Sequence, residues 1–137
     1  MRRSLLLLPA AALTVALSHL ASAQGAKPAL YTADQANAGA AVYAQSCAAC
    51  HGSQLEGVAA PALKGPPFGD MANAQSLTAD ALLDVITNTM PQSDPGSLKP
   101  EEFAAVTAYI LQQNGYPAGT VALTKDEAGL KDAKITP

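Results

Sequence analysis

Both cysteines of the 137-residue chain and one of its two histidines lie within residues 46–52, which read SCAACHG. Cys47 and Cys50 are three positions apart and His51 follows directly, which gives the pattern C-x-x-C-H. Two thiols one helical turn apart can add to the two vinyl groups of one haem, and the adjacent imidazole can then bind the haem iron. The pattern therefore predicts one covalently attached c-type haem, with His51 as an axial iron ligand.

Three other uses of this cysteine pair have weaker support. A disulfide between Cys47 and Cys50 would close a very small loop and would restrict the unfolded chain little. A thioredoxin-like redox pair needs a βαβ context, and the sequence contains no convincing strand pair. A zinc site needs four ligands, and no second pair of Cys or His residues accompanies this motif.

An iron bound by His51 has a further axial position, for which a methionine thioether is a typical ligand. After the first residue, the chain contains two methionines, Met71 and Met90. Met71 lies in a Gly- and Pro-rich stretch, whereas Met90 lies between a predicted helix end and Pro91. Because a methionine at a helix end is also a common core residue, the residue types alone leave both open.

The element that must present the cysteines is a helix that begins near Thr32. Residues 32–35 (TADQ) match a capping box, in which Thr32 caps the helix and Gln35 reaches back to the first N–H group. One helical face then carries Ala36, Ala40, Tyr43 and Cys47. The helix therefore delivers Cys47 near its C-terminal end.

Two further helices are predicted downstream of the motif. Residues 52–75 are rich in Gly, Pro and small side chains, which predicts a loop. Thr78 is a suitable N-cap for a helix that runs to about Thr89. Its apolar side consists of Leu82, Leu83 and Ile86.

The last helix begins with Pro100 in its first position and two glutamates in its first turn. It ends at residues 114–115 (NG), where glycine can take the left-handed conformation. Its expected buried face consists of Phe103, Val106, Tyr109 and Ile110. The chain is therefore expected to be all-α, with three to five helices and long loops wrapped around a covalently bound haem.

The N-terminal residues 1–23 have the layout of a cleaved secretory signal peptide. Arg2 and Arg3 precede an apolar run, and residues 21–23 (ASA) form a small-x-small cleavage site. The alternative is an uncleaved membrane anchor, but the interrupted run is short of the roughly 20 apolar residues that a spanning helix needs. Cleavage before Gln24 would give a periplasmic mature chain that does not span the membrane.

The mature chain is predicted to comprise a linker (24–31), one domain (32–119) and a C-terminal tail (120–137) that is extended, partly disordered or a short docked arm. It would carry six lysines against eleven acidic residues, a net charge of −5. This charge argues against nucleic acid and anionic lipid surfaces as partners. The absence of Trp, with four Tyr and two Phe, predicts a thin core that a bound cofactor would complete.

These motifs together resemble class I cytochromes c. The resemblance covers roughly residues 34–119 and includes CAACHG, GVAAPALKG and NTMPQSDPGSLKPEEFAAVTAYI in the family's order. It implies a close crossing of the first and last helices, carried by four positions: Gly39, Tyr43, Val106 and Tyr109.

The same resemblance implies the roles of three residues around the haem. Met90 would be the sixth iron ligand, Pro61 would accept a hydrogen bond from His51 Nδ1, and Leu63 would pack on the haem. The length of chain between His51 and each methionine also favours Met90 as the ligand. Met90 lies 39 residues after His51, beyond a helix that can carry the chain to the opposite haem face, whereas Met71 lies only 20 residues after it.

The segment around Met90 is also similar to small cytochromes that serve periplasmic quinoprotein, sugar or alcohol dehydrogenases. Two departures from the family pattern are Lys99 in place of a Ser or Thr cap and the missing Trp, which leaves the haem propionate contacts unassigned. The expected function is that of a monomeric, non-enzymatic carrier that passes single electrons from a dehydrogenase to a terminal oxidase. Two alternatives are a dedicated subunit of a periplasmic dehydrogenase complex and a haem-based sensor or peroxidase in which Met90 leaves the iron.

Overall fold

The computed structural model describes residues 26–125 and 129–136. The helices are α1 (Ala33–Ser46), α2 (Ala48–His51), α3 (Gly65–Ala74), α4 (Ala79–Thr89) and α5 (Pro100–Gln113). In these two ranges there is no β-strand, only isolated bridges that pair Thr32 with Gly119 and Thr78 with Lys134. The predicted all-α architecture is confirmed. The predicted signal peptide and its cleavage before Gln24 lie outside the described residues.

Helices α1 and α5 cross in close contact at Gly39. A Cβ atom on Gly39 would overlap the backbone carbonyl of Ala105, so a larger residue would push the helices apart. Beside the crossing, the rings of Tyr43 and Tyr109 pack in a tilted arrangement with centroids 5.4 Å apart. This crossing fixes the C-terminal end of α1, and with it Cys47, beside α5.

Both predicted threonine caps are present, but the predicted capping box is only half formed. Thr32 Oγ1 accepts the N–H of Gln35 at 3.3 Å, and Thr78 Oγ1 accepts the N–H of Ala81 at 3.2 Å. The Gln35 side chain does not reach back; it donates to the carbonyl of Leu123 and accepts the Leu123 N–H, each at 2.8 Å. Because Leu123 is fully buried, its backbone groups need partners, and Gln35 supplies both.

The predicted loop over residues 52–75 is wrong in its second half, where α3 forms. Pro66 and Pro67 lie in the first turn of α3, where no intrahelical N–H bond is lost. The helix is held by burial of Phe68 and Ala72. The prolines therefore favour the start of a helix rather than a loop, and Met71 lies on a helix.

Helix α5 begins at Pro100 as predicted, and the Lys99 N–H donates to Glu102 Oε2 at 2.8 Å. Its C-terminal stop is also confirmed, with Gly115 at a φ of +76°. The predicted buried residues Phe103, Val106 and Ile110 are buried, whereas Tyr109 is only half-buried. Tyr109 lies at the edge of the helix crossing, where one side of its ring meets Tyr43.

The C-terminal arm, meaning the described residues of 120–136, is docked on the domain. It buries Leu123, Leu130, Ala133 and Ile135. The carbonyls of Ala133 and Leu130 accept the N–H groups of Ala79 and Asp80 at 2.9 and 3.2 Å. The arm therefore satisfies backbone donors in the first turn of α4 that the helix itself leaves unpaired. The described residues of the predicted tail therefore form a docked arm, which is one of the three states expected for it.

Candidate haem site

The helical backbone at the end of α1 presents the C-x-x-C-H motif. α1 ends at Ser46, Cys47 caps it, and the short helix α2 carries Cys50 and His51. The His51 N–H donates to the Cys47 carbonyl at 3.0 Å, which places the motif on one helical turn. Cys47 and Cys50 are not joined in a disulfide; Cys50 is exposed, and burial raises the pKa of the half-buried Cys47 side chain as a thiol.

The buried Tyr43 fixes the backbone immediately after the motif by a hydrogen bond. The hydroxyl of Tyr43 donates to the carbonyl of Gly52 at 2.6 Å. Burial, reinforced by the neighbouring Cys47 and Tyr109, raises the pKa of Tyr43 to about 12, so the phenol stays protonated and keeps this bond. Gly52 has a φ of +85°, a backbone conformation that glycine adopts without strain.

The loop after the motif folds back onto it through backbone hydrogen bonds. The Cys50 carbonyl accepts the N–H groups of Val58, Ala59 and Ala60 at 3.3, 2.9 and 3.0 Å. The fold-back brings the Pro61 carbonyl to 2.8 Å from His51 Nδ1. Because a carbonyl only accepts, Nδ1 carries the proton and Nε2 is left free for a metal.

The motif opens onto a cleft of about 780 Å³, within the usual range for cofactor sites. Five of the six residues predicted to form the haem site line it: Cys47, Cys50, His51, Leu63 and Met90. Met71 is not among the lining residues; it is half-buried and packs against the core. Pro61 is also absent from the lining, and its contribution is the carbonyl that meets His51.

The inner wall of the cleft is apolar and consists of residues from α4 and α5. Ile86 of α4 and Val106 and Ile110 of α5 line it. The polar side chains of the described lining are exposed or half-buried, form the mouth of the cleft and include one carboxylate: Gln45, Ser46, Gln92, Ser93, Asp94 and Ser97. A largely apolar plate that also carries polar groups, such as a haem, fits a cleft with a buried apolar wall and a polar mouth.

The donor set also fits a haem better than a bare metal ion. The described residues contain no group of three or more His, Cys, Asp or Glu side chains that could hold an ion alone. The cleft instead combines two thiols, one imidazole and one thioether with an apolar wall. These are the groups that attach a c-type haem and bind its iron on two sides.

Two features were not predicted from the sequence: the polar mouth of the cleft and the contact made by Asn114 outside it. Residues 92–97 follow Met90 directly, so their place at the rim could have been expected from the methionine alone. Asn114 was interpreted only as a helix stop, yet its side chain bonds to the loop that carries Leu63. A contact across 51 residues leaves no local signal in the sequence.

Solved structures similar to this chain include the following three. The sulfane dehydrogenase SoxCD from Paracoccus pantotrophus matches at 26% identity and a TM-score of 0.56, over 82% of this chain and 57% of its own. Thiosulfate dehydrogenase TsdBA from Marichromatium purpuratum matches at 31% identity and a TM-score of 0.44, over 62% and 20%. Cytochrome cL from Methylophaga aminisulfidivorans matches at 21% identity and a TM-score of 0.42, over 65% and 71%.

This chain thus corresponds to little more than half of the matched SoxCD chain. No curated protein sequence gives a significant match. None of the described helices has both the length and the apolarity that a membrane crossing needs. The family model described as cytochrome c oxidase, cbb3-type, subunit III matches residues 34–110, more than half of the chain and the whole span from α1 to the wall of the cleft. The chain belongs to this cytochrome c family, and its fold is that of a class I cytochrome c.

Proposed function

We propose that this chain is a periplasmic carrier that passes single electrons from a dehydrogenase to a terminal oxidase through one covalently bound haem c. The observation that carries the proposal is the convergence of Cys47, Cys50, His51 and Met90 on one apolar cleft. The two thiols would form thioethers with the haem vinyl groups, and His51 and Met90 would bind the iron from opposite sides. When bound, the haem supplies a reversible one-electron couple.

Backbone and side-chain groups around the cleft would set the reduction potential of that couple. The Pro61 carbonyl fixes the tautomer of His51 and makes its Nε2 more basic. The apolar wall of Ile86, Val106 and Ile110 keeps water from one side of the cleft. Ligation by Met90 would raise the reduction potential, which suits delivery of electrons to an oxidase.

The choice of Met90 over Met71 has support from position. Met90 lies at the C-cap of α4 and lines the cleft, with Pro91 beside it. Met71 lies on α3. Both methionines are half-buried and pack against the core, but only Met90 lines the cleft that it shares with His51.

A pyridine haemochrome spectrum together with the intact mass of the purified protein tests this proposal. We expect a c-type spectrum, a mass increased by one haem and a polypeptide that begins at Gln24. Haem that is extracted by acidified organic solvent, or a mass equal to that of the bare chain, would contradict the proposal. Retention of residues 1–23 in a membrane fraction would contradict the predicted export as a mature carrier.

A second candidate is a dedicated cytochrome subunit of a periplasmic dehydrogenase complex. The similarity to SoxCD, which is described as a sulfane dehydrogenase, favours it. Gentle purification from the native cell separates the two candidates. A free carrier elutes as a monomer, whereas a subunit co-elutes with a larger catalytic chain in fixed ratio.

A further inference from the structure

Asn114 links the C-terminal end of α5 to the loop that carries Leu63. Its Nδ2 donates to the carbonyl of Leu63 at 2.9 Å and to that of Ile110 at 2.8 Å, and its Oδ1 accepts the Gly65 N–H at 3.2 Å. All the hydrogen-bonding groups of this half-buried amide are therefore engaged, two of them by a loop about 50 residues away in sequence. Such complete use of an amide is typical of a side chain that fixes a loop.

The loop held by Asn114 also orients the His51 ring, through the Pro61 carbonyl. The Pro61 carbonyl that meets His51 Nδ1 lies two residues before the Leu63 carbonyl that Asn114 binds. The Leu63 N–H is in turn held by the Leu55 carbonyl at 2.9 Å. Only Ala62 separates the two anchored residues, so a shift of Leu63 moves the Pro61 carbonyl with it.

We propose that Asn114 is a positioning residue for the axial histidine and that it acts through Leu63 and Pro61 on the electron density at His51. The inference rests on the proposed function, because it takes His51 as an iron ligand. The bond from Nδ1 to the Pro61 carbonyl makes Nε2 a stronger donor, and a stronger donor favours oxidised iron. Loss of the Asn114 bonds loosens this arrangement and favours reduced iron.

The test uses the complete holoprotein with Asn114→Leu, which keeps the branched shape and the zero charge of the side chain but removes its hydrogen bonds. We expect the reduction equilibrium to shift about threefold toward the reduced form, a rise of ~28 mV for a one-electron couple. In the reduced protein, the His51 Nδ1 proton should exchange with solvent at least about tenfold faster by NMR.

Asn88→Leu is the matched control. Asn88 also bonds the carbonyl four residues before it, that of Asp84 at 2.7 Å, but it does not reach the loop. We expect neither the potential nor the exchange rate to change in this variant. If Asn114→Leu does not accumulate, Asn114→Ser is measured by the same two criteria. Unchanged potential and exchange in the Asn114 variant, or an equal shift in Asn88→Leu, would overturn the inference.

Failure of this inference differs from failure of the proposed function. A wild-type protein without a c-type haem spectrum would refute the proposed function, whatever the Asn114 variants show. A wild-type protein with His51-ligated haem, together with silent Asn114 variants, would refute only the positioning role.

Discussion

The buried phenol of Tyr31 makes one of the hydrogen bonds that join the N-terminal segment to the residues after α5. Tyr31 is 1% exposed, and its hydroxyl donates to the Tyr116 carbonyl. Burial raises the pKa of Tyr31 above its ordinary value of 10.0, because the charged phenolate would lose its hydration. The predicted linker (24–31) therefore includes a core residue at its end, Tyr31.

Tyr31→Phe removes this bond and leaves a carbonyl unpaired. We expect it to lower the free energy of unfolding by about 1 kcal/mol at pH 7. A phenol with a raised pKa in the folded state stabilises the protein fully below pH 10, and that contribution is lost as the pH rises further. Urea unfolding at pH 7 and above pH 10 should therefore show a difference between wild type and variant that shrinks with pH. A difference that stays constant or grows would contradict this assignment.

At the level of elements, the crossing of α1 and α5 depends on the missing side chain of Gly39. Gly39→Ala should gain about 1 kcal/mol from helix propensity. Its Cβ would overlap the Ala105 carbonyl and lie 3.0 Å from Tyr109 Cβ, so the helices must separate. We expect a net destabilisation of about 2 to 3 kcal/mol, because overpacking outweighs propensity.

Asn37→Ala on the exposed face of α1 is the control for Gly39→Ala, since it changes helix propensity without touching α5. Thermal unfolding measures the change in stability that each variant causes. A Gly39→Ala protein as stable as the Asn37→Ala protein would show that the crossing is not tight.

The C-terminal arm contributes core residues as an element in its own right. Ile135 is 2% exposed, and its N–H donates to the Leu77 carbonyl at 2.8 Å. Ile135→Ala should therefore destabilise the protein by about 2 to 4 kcal/mol. Val121→Ala, at a site that is 56% exposed, should change the free energy of unfolding by less than about 0.5 kcal/mol. Equal effects of the two substitutions would mean that the arm does not dock in solution.

At the scale of the whole molecule, we expect the fold to depend on the haem that the cleft would hold. The apolar wall of Ile86, Val106 and Ile110 lines this cleft of about 780 Å³. Cys47→Ser should disrupt haem attachment and yield a chain that accumulates poorly and unfolds without a cooperative transition by circular dichroism. Ala49→Ser, between the two cysteines, should retain the haem and the cooperative transition. A well-folded, cooperatively melting haem-free chain would contradict the predicted dependence.

The parts of the fold that follow from neighbouring residues could be predicted from the sequence. Thr32 and Thr78 cap helices because a cap involves only the next three residues, and Cys47 and Cys50 lie one turn apart for the same local reason. The arm could not be placed, since Gln35 meets Leu123 across 88 residues. The start of α3 was mistaken for a loop because proline favours both.

The candidate haem site also has parts that follow from neighbouring residues and parts that depend on the tertiary fold. The spacing of Cys47, Cys50 and His51 carries its chemistry locally, whereas the wall of the cleft depends on how α4 and α5 pack. Val106 and Ile110 were predicted to be buried, but the sequence could not show that their burial forms a wall of this cleft. Asn114 was recognised only as a helix end, because its bond to Leu63 depends on the tertiary fold.

The central claim is that His51 and Met90 hold one haem in this cleft, and the far-red sulfur-to-iron charge-transfer band of the oxidised protein tests it most directly. We expect the band in wild type and in Met71→Ala, because Met71 packs in the core away from the cleft lining. We expect Met90→Ala to lose the band and to have a lower reduction potential or an iron open to added ligands. A band that survives in Met90→Ala and vanishes in Met71→Ala would show that the axial ligand has been assigned to the wrong methionine.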